Sequence, residues 1–188
     1  MVSRGQIILM DNNAISACHD LGGWKALASG FQLETVEEVA SEAGTGYQHR
    51  EIIDPAEFRE VVAVHAVSRH DRLACQSRYA DLGMLDDGER DLWVHATGRS
   101  DAWMLCGPDI ASIRFGVRAG YTDRLVSLEE LLMKIGYPIK GGLREHFTRK
   151  WLQARIDEFS LELAFERART EAKPAPAGKR GGAAKSRR

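Results

Sequence analysis

"GQIILMDNNAISACH", residues 5–19, carries an apolar run from Ile7 to Met10 and closes it with a carboxylate, Asp11, and two amides, Asn12 and Asn13. An apolar run of strand length that passes at once into "AISACH" predicts a buried strand feeding a crossover helix. A carboxylate placed directly behind a buried strand then needs a reason. In open parallel sheets ligands bind in the crevice outside the carboxyl ends of the strands, where the strand order reverses. Asp11 falls at such an end.

The same pattern recurs along the chain. Strands are predicted at "QIILM" (6–10), "FQLETV" (31–36), "AWMLC" (102–106) and "RLVS" (124–127). Helices are predicted between them over "AISACHDLGGWKALAS", "VEEVASEA", "DPAEFREVVAVHAVSRH" with Asp54 as cap and Pro55 in the first turn, and "DDGERDLWVHATG", stopped by Gly98. In "SLEELLMKIG", Ser127 and Glu130 have the spacing of a capping box and Gly136 is the stop. Strands alternating with longer helices give an α/β fold, a short parallel sheet in a three-layer α/β/α arrangement. Beyond Leu143, the apolar residues Phe147, Trp151, Ile156, Phe159 and Leu163 recur at helical spacing, predicting an amphipathic C-terminal helix docked on the body or on a partner.

Composition bounds the rest. A chain of 188 residues, 44% hydrophobic, supports one globular domain with a real core. The expected organisation is a main domain over 1–142, a helical extension over 143–172 and a basic tail over 173–188. "PAPAGKRGGAAKSRR", from 174 on, has no apolar period and is expected to be disordered. It holds five cations and no acid, so a net charge of −1 conceals an acidic body with a basic end. Such an end either attracts polyanions or serves only solubility. No run is long enough for a membrane helix and no secretory signal is visible, so a cytoplasmic protein without membrane contact is expected. Cys18, Cys75 and Cys106 are too widely spaced for a zinc site or a disulfide framework and read as small buried hydrophobes.

Asp109 lies just past "AWMLC" as Asp11 lies past "QIILM". Taken singly, either aspartate is accounted for as a helix cap. Two carboxylates brought to one sheet edge repel each other unless a cation is present, and hard oxygen donors suit Mg²⁺ or Mn²⁺. Other chemistries lack their spacing. Among the six histidines there is no H-x-x-x-H, and His65 and His70, five apart in one predicted helix, lie on different faces. "GTG" at 44–46 follows a helix rather than a strand, and no serine sits in a G-x-S-x-G turn. Trp24, Trp93, Trp103 and Trp151 stand in apolar surroundings that suit core packing better than base stacking.

From residue 5 to about residue 136 the chain resembles the PIN-domain nucleases. "ILMDNNAISA" is similar to their opening strand, with Asp11 followed by Asn13; "TVEEVASEA" to their second element, with Glu42 as its acid; "LDDGERDLWVHATG" to an L-x-x-G-E helix start, with Glu89; and "AWMLCGPDIASIRFGVRAGY" to the strand that ends in T-x-D, with Asp109. The resemblance implies that Asp11, Glu42, Glu89 and Asp109 bind Mg²⁺ or Mn²⁺ and hydrolyse phosphodiesters, with Asn13 in support. Glu38 is the rival for Glu42, and Asp86, Asp87 and Asp91 are the rivals for Glu89. Gly107 and Pro108 depart from the family, which usually has Thr or Ser at the first position and often an acid at the second. Single-stranded RNA is the implied substrate, with a toxin role, an antitoxin protein partner and a homodimer implied by analogy. The alternative is a non-catalytic PIN-like module for protein or RNA interaction. A doubly wound ligand-binding domain without this chemistry is the third reading.

Overall fold

Four short strands carry the fold: β1 (Ile7–Met10), β2 (Gln32–Val36), β3 (Val62–His65) and β4 (Trp103–Cys106). In the computed structural model, which describes residues 2–45 and 54–171, they pair in the order β3-β2-β1-β4, every pair parallel. Ile8, Leu9 and Met10 are fully buried in succession, as expected of a strand covered on both faces rather than one.

Between β1 and β2 run α1 (Asn12–Asp20) and α2 (Trp24–Gly30); α3 (Glu37–Thr45) and α4 (Pro55–Val61) lie between β2 and β3. From β3 the chain returns through α5 (Arg69–Arg78) and α6 (Asp87–Thr97) to β4, then continues through α7 (Ile110–Arg118), α8 (Leu128–Ile135) and α9 (Arg149–Glu171). The walk from β1 to β3 moves one way across the sheet and the step to β4 crosses back to the far side of β1. Right-handed crossovers therefore place the two helix groups on opposite faces, which makes the three layers. Strand order reverses between β1 and β4, and the crevice opens there.

Side-chain alternation divides the core. Leu33 and Thr35 face the layer of α1 and α2; Leu9, Glu34, Trp103 and Leu105 face α6 and α7. On that second face Trp93 packs edge-on to Trp103 and against Phe115, and its indole N–H donates to Ser112 Oγ at 2.8 Å. Each such side chain removed from water contributes about 1.5–3 kcal/mol.

Three predicted elements need correction. The single helix over "AISACHDLGGWKALAS" is broken at Gly22, whose φ of +66° no continuing helix adopts, into α1 and α2. The helix over "DPAEFREVVAVHAVSRH" is α4, then β3, then the start of α5. The segment from Val62 to His65, with the β-branched Val62 and Val64, is poorly suited to a helix and pairs with β2 instead. "RLVS" is not a strand: Leu125 makes one isolated bridge to Leu105 before Ser127 caps α8. The capping box of Ser127 and Glu130 and the left-handed Gly136 are as read from the sequence.

The C-terminal helix docks on the body. Leu152, Ile156 and Phe159 of α9 are buried, Arg114 lies over the Phe159 ring at 4.5 Å, and Arg118 bridges Asp81 and Glu166. The predicted tail from 173 and the Gly46 end of "GTG" lie outside the described residues.

Candidate metal centre at the carboxyl ends of β1 and β4

Asp11 leaves β1 as the N-cap of α1. Its backbone N–H donates to the Cys106 carbonyl at 3.1 Å, continuing the pairing of β1 with β4 by one residue. Its Oδ2 accepts from the Asn13 backbone N–H at 3.2 Å, and the Asn13 side chain also hydrogen-bonds the carboxylate. Burial nonetheless pushes the Asp11 carboxyl up to about 6, against the opposing pull of the Asn13 and Asn12 hydrogen bonds. Asn13 thus hydrogen-bonds the Asp11 carboxylate from both its backbone and its side chain.

Asp109 and Asp86 arrive in the same way. Asp109 caps α7, accepting from Ala111 N–H at 2.7 Å; Asp86 caps α6, accepting from Glu89 N–H at 2.8 Å. Each cap leaves carboxylate capacity beyond the hydrogen bond that it makes to its helix. Capping and site formation are therefore compatible here.

Glu89, in the first turn of α6, is buried at 6% exposure. Its carboxyl is pushed up to about 9: first by burial, then by the charge of Asp109, the charge of Asp86, a hydrogen bond to Asp109, and the charge of Asp11. Four acids from three different helix starts thus act on one point. Asp86, a rival in the sequence reading, joins the cluster rather than replacing Glu89. The other rivals are engaged elsewhere: Asp91 is held by Arg72, and the exposed Asp87 by Arg90.

Glu42 reaches the same edge from α3. Its Oε2 accepts from Asn12 Nδ2 at 3.2 Å, and its Oε1 lies so near Gly88 that a β-carbon there would sit 3.1 Å away. Glu38, its rival, is exposed and exerts its charge on Arg72. Asn12 itself was missed in the sequence. Its Oδ1 is buried with no hydrogen-bond partner among the described residues, an acceptor left over beside the carboxylates.

Gly107 explains how Asp11 fits. A β-carbon at 107 would lie 3.0 Å from Asp11 Cβ, so the absence of a side chain is what lets the two strand ends close. Glycine at this position suits the close approach of the two strand ends.

A second group lies on the α6 face of the sheet. Glu34 of β2, His65 at the end of β3 and His95 of α6 bring three ligand atoms within 4.8 Å of one another, and this buried Glu/His/His group could hold a metal ion. The sequence reading missed it because His65 was placed in a helix with His70. One signal was available: Glu34 is a charge in the middle of a buried strand, and such a group requires partners.

No protein-family model matches the chain, and no curated protein is significantly similar to it.

Proposed function

We propose that the chain is a PIN-type endoribonuclease that hydrolyses phosphodiesters of single-stranded RNA at the acidic centre. The observation that carries this reading is the convergence of Asp11, Glu89 and Asp109 where the strand order reverses, with Glu89 held protonated first by burial and then by like charges. Such an arrangement is costly without a cation and is the kind of feature kept for function.

The residues fit a hard divalent ion. Every side chain at the centre offers oxygen, the acids charge one another unfavourably without a cation, and Asn12 Oδ1 adds an unused neutral acceptor. Mg²⁺ or Mn²⁺ bound there would supply Lewis acidity toward phosphate and make a bound water more acidic. Asp11, Glu89 and Asp109 are the holding residues, and Glu42 stands at the rim with Asn12. Asn13 fixes the Asp11 carboxylate through two hydrogen bonds. Glu89 carries the proton that must leave before the centre has its full charge. A toxin role, with an antitoxin partner and a homodimer, extends the same resemblance.

The test is Mn²⁺-dependent cleavage of single-stranded RNA by wild type, Asp11→Asn and Asp109→Asn, with melting temperatures alongside. Cleavage by wild type should fall at least about a hundredfold in both variants while both remain folded. Equal cleavage by the variants refutes the site. An inert wild type whose melting still responds to Mn²⁺ establishes the non-catalytic PIN-like module instead.

A further inference from the structure

Glu34 is a buried carboxylate surrounded by three basic side chains. His65 Nε2 comes within 2.9 Å of its Oε2 and His95 Nε2 within 3.5 Å, while Arg99 Nη1 bonds both Oε2 and, at 2.8 Å, His95 Nε2. The two imidazoles stack, with centroids 4.4 Å apart and planes 22° apart, and each Nε2 approaches Glu34 Oε2.

Hydrogen-bond logic fixes the state of His95. A guanidinium has no acceptor, so His95 Nε2 must accept from Arg99 and its ring is neutral with the proton on Nδ1. Its lone pair therefore points at the guanidinium of Arg99, which also bonds the Glu34 carboxylate. His65 Nε2 is buried and makes no hydrogen bond despite its 2.9 Å approach to Oε2. The carboxylate oxygen lies 2.9 and 3.5 Å from the two imidazole nitrogens, close to the roughly 3.3 Å edges of a tetrahedral site with ligands about 2.0–2.2 Å from the metal, and a turn of one stacked ring would bring both lone pairs onto one ion.

We infer that Glu34, His65 and His95 form a site for a borderline-soft divalent cation of the Zn²⁺ class, for which the Arg99 guanidinium is the built-in competitor. Arg99 has a second anchor. Its Nε and Nη2 donate to Asp101 at 2.8 and 2.6 Å, and Nη2 also reaches Glu34 Oε1 at 3.4 Å, so a guanidinium that swings off Glu34 and His95 together with the exposed Asp101 stays paired. Metal entry exchanges one cation for another over Glu34, and Asp101 receives the displaced charge. Three protein ligands leave a fourth position for water or a small donor. His95 and Arg99 also line a cleft of about 490 Å³ between α5 and α6, whose wall includes Cys75, Tyr79 and Thr97. The site thus has an approach from solvent that is separate from the acidic centre. Imidazole ligation distinguishes it from that centre, where all the donors are oxygen.

The experiment is titration of the full chain with Co²⁺, whose four-coordinate complexes absorb strongly in the visible while oxygen-only octahedral ones are faint, followed by displacement with Zn²⁺. Wild type should take up one equivalent with the strong band, and His65→Gln, at a half-exposed position, should lose the band while remaining folded by circular dichroism. Asp101→Asn should weaken uptake severalfold, since the displaced arginine loses its second anchor, and Arg99→Met should tighten it by about tenfold or more. Asp109→Asn should leave the band unchanged, which separates this site from the acidic centre. A wild type and a folded His65→Gln with the same spectrum and stoichiometry overturn the inference. So does an Asp101→Asn or a folded Arg99→Met with unaltered affinity.

Discussion

Glu89 hydrogen-bonds to Asp109 across the starts of two helices, and a bond between two carboxyl groups requires a proton on one of them. That proton sits on Glu89, the more buried of the two. Glu89 in the folded chain therefore holds it up to about pH 9, and Asp11 holds one up to about pH 6.

The pH dependence follows in sign. A carboxyl whose folded value lies above its ordinary one stabilises the fold fully below the ordinary value and loses that contribution as pH rises through the folded one. Without divalent ions, stability should fall between about pH 4 and 6 through Asp11 and on toward pH 9 through Glu89. Glu89→Gln should flatten the upper part of that slope and raise the melting temperature at pH 8, by about 1–2 kcal/mol of stability. It should also abolish the response of the melting temperature to Mg²⁺. Melts from pH 5 to 9, with and without Mg²⁺, check the sign; a Glu89→Gln protein with the wild-type slope would place the strain on another group.

Much of this centre was legible because its acids follow directly on β1 and β4 and the reversal of strand order is a property of the whole walk. Asp11 and Asp109 needed only the strand ends. Glu42 and Glu89 rested on the family spacing, and the structure sets both at the same edge. Asp86 stood only as a rival for Glu89, and Asn12 was hidden as an amide beside a more conspicuous acid. The Glu34 group was out of reach for a different reason. Its members come from a strand, the end of another strand and a helix across the sheet, and the run "VVAVH" was absorbed into a helical period. Once β3 is a strand, Glu34 and His65 share a face by register alone.

Gly107→Ala isolates the packing of the strand ends from their chemistry. The new methyl would sit 3.0 Å from Asp11 Cβ, and Pro108 restricts how far the backbone at 107 can give. Overpacking of this kind costs about 1–2 kcal/mol. The Mg²⁺-induced rise in melting temperature should shrink along with it, because Asp11 is displaced. A variant that melts and responds to Mg²⁺ as wild type does would show that the strand ends tolerate a side chain.

Arg72 tests an ion pair with a carboxylate on α6 that belongs to neither centre. Asp91 is buried within α6 and bonds Arg72 through two hydrogen bonds, while Arg72 is half exposed. Arg72→Met strands the carboxylate and should cost about 2 kcal/mol, below the full value for a buried pair because water reaches the arginine. Adding Asp91→Asn should recover part of that loss in chemical denaturation. A single variant as stable as wild type would mean that solvent already satisfies Asp91.

The cations Lys179, Arg180, Lys185, Arg187 and Arg188 all follow Glu171, the last described residue. On an otherwise acidic chain these five are a concentrated source of attraction for a polyanion. Each cation that neutralises a phosphate of single-stranded RNA contributes about 0.7 to the slope of log affinity against log salt. Removing residues 174–188 should therefore weaken RNA binding and flatten that slope by up to about 0.7 for each phosphate left without its cation, while leaving the melting temperature unchanged. The measurement is best made on the Asp11→Asn background, where the RNA should stay intact. It needs only binding isotherms from low to moderate salt for the full and shortened chains. If the two slopes coincide, RNA is held by the body alone and the tail serves solubility; if affinity falls at every salt with no change in slope, the loss is not electrostatic.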